Sequence, residues 1–210
     1  MKKNTWIYAM ALIFLVAAAG CNTTPKTQTD KSDESKSSES MVSQELTVNL
    51  ESSEVTWKGE MLGVYSHSGT VDLQSASLEI KGSQVVSGSF VIDLGSITPT
   101  DENYSEDRPK ENLVGHLSSP DFFDVENFPT AKFVVQESDG QTVTGELTIR
   151  GTTHTETFES VMVSQDGNDY KISGKLVFDR KKYDVSFDMT IPDMVLSNDI
   201  EIGISLLASI

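Results

Sequence analysis

The residues of this 210-residue chain that could do chemistry are few, and three of them are histidines in unlike surroundings. His67 lies in Ser66-His67-Ser68-Gly69, His116 precedes Leu117, and His154 ends Gly151-Thr152-Thr153-His154. Serines and aspartates are abundant, so a Ser-His-Asp hydrolase can be drawn on paper around His67 or His154. Neither a Gly-x-Ser-x-Gly elbow nor a His-Glu-x-x-His helix accompanies them. His154 is therefore expected to be a polar residue at a strand edge or turn. His116 is expected to be a hydrogen-bonded cap at a helix C-terminus, where a cation also suits the dipole. His67 introduces a strand and is expected at a rim. The acidic run from Asp101 to Asp107 puts oxygens on alternate positions, loosely like a calcium loop. It lacks the sixth-position glycine and has Asn112 where a bidentate glutamate belongs, so a solvated acidic loop and no metal site are expected. Phe122 and Phe123 are adjacent and cannot both face inward on one strand. In a loop they either plug the core or line an apolar entrance.

Cys21 is the only cysteine, which excludes an intrachain disulfide and a multi-cysteine metal cluster. Its surroundings give it a different use. Lys2 and Lys3 precede an apolar run from Trp6, and Ala18-Ala19-Gly20 stands just before the cysteine. A positive start, an apolar stretch too short to span a bilayer and small residues at a cut site make a secretory signal over residues 1–20. Ala-Ala-Gly-Cys resembles a bacterial lipobox, with Ala18 where leucine is usual. It implies cleavage before Cys21 and acylation of its sulfur, and two or three acyl chains hold durably where one binds reversibly. Asn22, in place of the aspartate that retains many lipoproteins at an inner membrane, points to an outer one. Residues 21–45 are then a tether rich in serine, threonine and charge, too polar to fold alone.

The net charge is −16, from 32 acids against 16 bases. Three lysines against five acids in the tether nearly cancel Lys2 and Lys3, so the excess belongs to residues 46–210. No basic stripe is left for a phosphate backbone, which excludes nucleic acid as a partner.

From residue 46 the chain alternates with period two. Examples are Leu78-Ile80, Phe90-Ile92-Leu94, Val143 to Ile149, Tyr170 to Phe178 and Ile200 to Ile210. Such alternation marks strands with one buried and one wet face. With turn signals between them, eight to ten strands are expected near 46–50, 54–60, 69–73, 75–80, 84–94, 131–138, 142–150, 155–164, 169–179, 182–190 and 199–209, neighbours being free to fuse. Evenly spaced strands with short turns form a sandwich or a barrel. The interruption, residues 98–129, holds a short helix near 107–118 opened by Pro109, with Leu113 and Leu117 on one face.

Within that interruption, Leu113-x-x-His116-Leu117-Ser118-Ser119-Pro120-Asp121-Phe122-Phe123-Asp124-Val125-x-x-Phe128-Pro129 resembles the signature of YceI-like proteins. Val55-Thr56-Trp57-Lys58-Gly59, His67-Ser68-Gly69-Thr70, Gly88-Ser89-Phe90 and Gly145-Glu146-Leu147-Thr148-Ile149-Arg150-Gly151 follow the same pattern. The resemblance covers residues 46–208. It implies an all-β fold, an extended lipocalin-like barrel of eight antiparallel strands around a polyisoprenoid or similar amphiphile. On that reading Leu78, Ile80, Phe90, Ile92, Phe133, Val143, Leu147, Ile149, Phe158, Leu176, Phe178, Ile202 and Ile204 form an apolar interior. Inward Gly88, Gly145 and Gly174 leave room in it. Lys58, His67, Ser68, Phe122 and Phe123 form the rim.

The function expected is binding of such a lipid in the bacterial envelope without catalysis, by a protein lipid-anchored and either periplasmic or surface-exposed. A hydrolase using His67 or His154 and an interaction lipoprotein with an acidic binding surface are the alternatives. The expected partners are the amphiphile, the membrane through acylated Cys21 and, as an open alternative, a second copy in a homodimer. No cofactor is expected.

Overall fold

Period-two alternation becomes nine strands in a computed structural model that describes residues 42–187 and 195–210. The signal, Cys21 and most of the tether lie outside the described residues. The strands are β1 (Gln44–Val48), β2 (Glu54–Met61), β3 (Tyr65–Lys81), β4 (Gln84–Pro99), β5 (Thr130–Ser138), β6 (Val143–Ile149), β7 (Thr152–Asp166), β8 (Asp169–Asp179) and β9 (Leu196–Ser209), with one helix, α1 (Lys110–Ser118), between β4 and β5. Every pairing is antiparallel, and β2 through β9 close on themselves because β2 pairs with both β3 and β9. The short β1 also pairs with β3 and β9, so β1 and β2 occupy one slot and the barrel is eight-stranded. The sequence-expected strand start at 46 moves to Gln44, which takes the last two tether residues into the barrel.

Bulges decide which residues face inward. In β3, Tyr65 to Leu73 point in at odd positions, the register slips between Leu73 and Ser75, and Ala76, Leu78 and Ile80 then point in at even ones. The two strands expected at 69–73 and 75–80 are thus one strand with an extra residue, which bends it and lets the sheet close. In β4 the slip comes at Gly95 and Ser96, where Asp93 accepts from the Gly95 amide at 2.8 Å and the Ser96 hydroxyl at 2.7 Å. After it Ile97 and Pro99 replace Phe90, Ile92 and Leu94 as the inward set.

Over residues 182–187, the described part of the strand expected at 182–190, no strand forms. Arg180–Tyr183 is a 3-10 turn, started by the Asp179 carboxylate accepting from the Lys181 amide at 2.9 Å and ended by Asp184 at φ 59°. Beyond the Glu159–Lys175 pair, β7 and β8 part, and Tyr183 fills the gap. Its ring meets His154 of β7 and Phe178 of β8 edge-on, and its hydroxyl donates to the buried Glu156 carboxylate at 3.0 Å.

The tight hairpins after β3, β5 and β7, and the start of β1, share one end of the barrel. There Leu46, Val48, Ile80, Tyr170 and Ala208 are all buried and form a floor. The long excursion over residues 100–129 and the described residues 180–187 share the other end with the β2–β3 and β6–β7 hairpins. That end is the mouth.

Candidate functional site

Between floor and mouth lies a cavity of about 300 Å³, at the low end of the range for small-molecule pockets. Its wall is made by the inward positions of the strands. Leu78, Phe90, Ile92, Phe133, Val143, Leu147, Ile149, Phe158, Leu176, Phe178, Ile202 and Ile204 line it as expected. Ile80 does not; it is fully buried in the floor below. The outward positions carry residues such as Glu45, Glu54, Lys58 and Lys175, so the barrel is apolar inside and polar outside, the inverse of a membrane-spanning pore.

The glycines do not leave the room expected of them. A Cβ on Gly145 would overlap the Val134 carbonyl and approach Phe133 Cζ to 2.6 Å, and one on Gly88 would come within 3.0 Å of Phe90. Aromatic rings of the same face have folded over both glycines. At Gly174 the Val161 methyl takes the space, 3.2 Å from where a Cβ would stand. Gly59 is the inward glycine that does face open space, since a Cβ there would meet only Ile200 Cδ1 at 3.5 Å.

The mouth is covered by aromatic and aliphatic side chains. Leu113 and Leu117 of α1 line the cavity from one face of the helix. Past the helix the chain folds back on it: Phe123 and Val125 amides donate to the Leu117 and Ser118 carbonyls at 3.0 Å each, and Asp124 adopts φ 51°. This turn lets adjacent Phe122 and Phe123 both reach the cavity, which no strand allows, their rings 4.9 Å apart and edge-on. His116 is not the expected hydrogen-bonded cap. Its ring lines the cavity and sits edge-on to Phe187 at 4.4 Å and Phe122 at 5.6 Å, while the Ser119 hydroxyl takes the His116 carbonyl at 2.7 Å.

Arg150 fastens this cover; the sequence pattern included it but gave it no role. Arg150 and Gly151 form the two-residue turn between β6 and β7, both at positive φ (50° and 74°). Such turns favour asparagine and glycine. Arginine here spends conformational energy to aim its guanidinium, which donates from Nη1 to the Phe122 carbonyl at 2.6 Å and the Asp184 carbonyl at 3.0 Å.

A second imidazole is turned toward the cavity, at the lip. His67 lines it, in register with Gly59, and its Nδ1 lies 3.1 Å from Asp101 Oδ1. Asp101 also accepts from the Ser68 and Asn103 amides at 3.0 and 2.9 Å and from the Tyr104 hydroxyl at 2.8 Å. Burial alone would raise this carboxyl. Its backbone donors, the Tyr104 hydroxyl and His67 together outweigh burial and bring it down to about 2. The Tyr104 phenol is pushed up by burial and by Asp101. Tyr65 edge-on and Tyr104 stacked, each 5.1 Å away, hold the imidazole between them.

The other expected rim residues are elsewhere. Lys58 and Ser68 are opposite each other on the outward face; Lys58 pairs with Glu201 at 3.4 Å on the surface, and Ser68 acts through its amide. His154 is exposed, bonded through Nε2 to the Lys182 carbonyl at 2.9 Å. A carboxylate-oriented imidazole such as His67 can serve as a base, but no side-chain hydroxyl bonds to its Nε2 among the described residues. No group of three or more His, Cys, Asp or Glu able to hold a metal ion stands together among them either.

A family model, the YceI-like domain, matches residues 46–208. The chain belongs to the YceI-like family. It is a binding family, not known for catalysis. Two curated UPF0312 proteins of Staphylococcus epidermidis strains are each 34% identical over 95 residues, covering 41% of this chain and 54% of theirs. The chain thus spans about half the length of the curated relatives it matches. The structure of Burkholderia cenocepacia BcnA superposes with a TM-score of 0.64 at 24% identity, covering 78% of this chain and 100% of that one. A polyisoprenoid binding domain from Saccharophagus degradans, implicated in plant cell wall breakdown, gives 0.56 at 12% identity over 79% and 97% of the two chains. At these identities the likeness is one of fold.

Proposed function

We propose that this YceI-like protein is an envelope lipoprotein whose barrel holds a polyisoprenoid or similar long-chain amphiphile for storage, transport or sequestration, without catalysis. The observation that supports it is a cavity of about 300 Å³, closed by a floor and lined almost wholly by apolar side chains. The Saccharophagus fold neighbour, a polyisoprenoid binding domain, supports the same ligand class. Binding needs no polar machinery in such a site. At about −0.3 kcal/mol per heavy atom, a chain of four isoprene units gains about −6 kcal/mol, a Kd of some tens of micromolar, and each further unit adds about −1.5 kcal/mol.

Cys21 supplies the address. Its acylation would anchor the domain to a membrane, an outer one by the residue at position 22, with the barrel on the periplasmic or outer face. The test is to purify the full chain from its own cells in mild detergent and extract it with organic solvent. A stoichiometric prenyl or other long-chain lipid is expected, and Cys21→Ser should move the protein from the membrane to the soluble fraction. A barrel that yields no amphiphile, from either fraction, would overturn the ligand reading. Retention of the Cys21→Ser protein in the membrane fraction would overturn the anchor.

A further inference from the structure

The cavity's few polar atoms constrain the head of any chain that enters it, and this inference rests on the lipid-binding reading above. Trp57 lines the wall, but its indole N–H is already given to the Thr70 carbonyl at 3.1 Å. Lys132 is exposed, alternating outward between inward Ala131 and Phe133. The arginines near the mouth are committed to carbonyls: Arg150 to those of Phe122 and Asp184, Arg180 to those of Ser197 and Val185. Lys110 sits over the Tyr104 ring, 5.6 Å from its centre, in a run from 101 to 112 with five acids and two bases. Asp101 at the lip is held ionised by four donors. The other imidazole that lines the cavity, His116, sits edge-on to Phe187 and Phe122. A phosphate or carboxylate head would therefore meet negative charge and give up its water with no lysine or arginine side chain turned inward to replace it.

His67 offers the opposite. An ionised carboxylate accepts hydrogen bonds and cannot donate, so Asp101 holds the proton on Nδ1. In the neutral ring Nε2 is then a lone pair, and no hydrogen bond occupies it among the described residues. Tyr65 and Tyr104 fix the ring plane. We propose that this lip selects long-chain amphiphiles with an uncharged, proton-donating head, an alcohol or a phenol, which donates to His67 Nε2, and that Asp101 sets that tautomer while excluding phosphorylated and carboxylated chains.

Three C20 prenyl compounds with one tail separate the alternatives: geranylgeraniol, its methyl ether, which can accept but not donate, and geranylgeranyl pyrophosphate. Each competes for the delipidated full chain in native mass spectrometry. The alcohol should exceed both of the others at least tenfold. His67→Phe keeps a ring between the two tyrosines and should bring the alcohol down to the level of the ether. Asp101→Asn should narrow the gap between alcohol and pyrophosphate several-fold; if that variant fails to fold, His67→Phe decides. Equal binding of all three, or an alcohol preference untouched by His67→Phe, overturns the head-group inference and leaves the cavity reading standing. Binding of none of the three overturns both.

Discussion

Two glycines of the same inward face should respond to one added methyl with opposite signs. Gly59 and Gly145 both lie on strands of the barrel at negative φ or extended backbone, so alanine is compatible with either conformation. At Gly59 the new Cβ finds only Ile200 Cδ1 at 3.5 Å, an ordinary contact. The gain is the reduced freedom of the unfolded chain, about 0.4–1 kcal/mol. At Gly145 the Cβ overlaps the Val134 carbonyl oxygen, which belongs to the ladder between β5 and β6, and the Phe133 ring at 2.6 Å. The ring can move but the carbonyl cannot without breaking the strand pairing, so an overpacking cost of about 1–3 kcal/mol follows. For a domain of this size a kilocalorie corresponds to about 2–4 °C in Tm. Gly59→Ala should therefore melt about 1–4 °C above the parent and Gly145→Ala about 2–12 °C below it, followed by circular dichroism on delipidated protein. Adding Phe133→Leu to Gly145→Ala should lessen the penalty relative to additivity without abolishing it, because the carbonyl overlap stays. Shifts of the same sign, or a Gly145→Ala protein within a degree of the parent, would refute the assignment of Gly145 as ring-covered and Gly59 as open.

Arg150→Met removes two charge-assisted bonds at the mouth and should cost about 2 kcal/mol, with faster amide exchange over residues 119–125 and faster release of bound lipid; an unchanged exchange pattern there would argue against Arg150 as the fastener. Asp101 titrates at about 2 in the folded protein against 3.8 for a free side chain, a difference worth about 2 kcal/mol. A depressed carboxyl stabilises the fold above the unfolded value and loses that contribution as pH falls from about 4 toward 2, so Asp101→Asn should flatten the acid limb of the stability curve over that window. Tyr183→Phe leaves the buried Glu156 carboxylate with only Lys182, at 3.5 Å. A loss of about 1–3 kcal/mol is expected in urea titration, the cost of an unmade bond to a buried acceptor.

The wall of the barrel was readable because β6 and β8 alternate without interruption, so Val143, Leu147, Leu176 and Phe178 declare their face directly. Parity fails as a guide where a bulge inserts a residue. Residues 69–80 looked like two strands because Gln74 shifts the inward set from odd to even, and a local pattern cannot tell a bulge from a turn. Tyr183, Val185 and Phe187 misled for a related reason. They do alternate, and the first two are fully buried, but Tyr183 fills the gap between β7 and β8 and Phe187 packs on His116 at the mouth, neither as part of a strand. The rim was the least readable part. Lys58 and Ser68 adjoin the right residues in sequence but lie one position out of phase with His67. Asp101, Tyr104 and Arg150 come from distant loops and act through bonds that only the closed barrel assembles. Phe122 and Phe123 were recognisable as anomalous because they are neighbours, and the turn at Asp124 resolves the anomaly.

The shared slot of β1 and β2 has a consequence for how the chain comes to be folded. Between them, Asn49 and Ser53 stitch the break to β9: the Asn49 amide donates to the Leu207 carbonyl at 2.8 Å, and the Ser53 hydroxyl accepts from the Leu207 amide at 3.0 Å. This seam, with the β2–β9 ladder from Glu54–Ser205 to Met61–Leu196, joins the first strands of the domain to the last. Loop closure over that separation costs entropy that only the finished pairing returns. The barrel therefore cannot close during synthesis until the final fourteen-residue strand has emerged, and a chain stopped short of Leu196 keeps one side of β2 as a bare edge. Closure is a check on completeness. A chain that must cross a membrane before it folds would stay open, and so threadable, until its last strand is made.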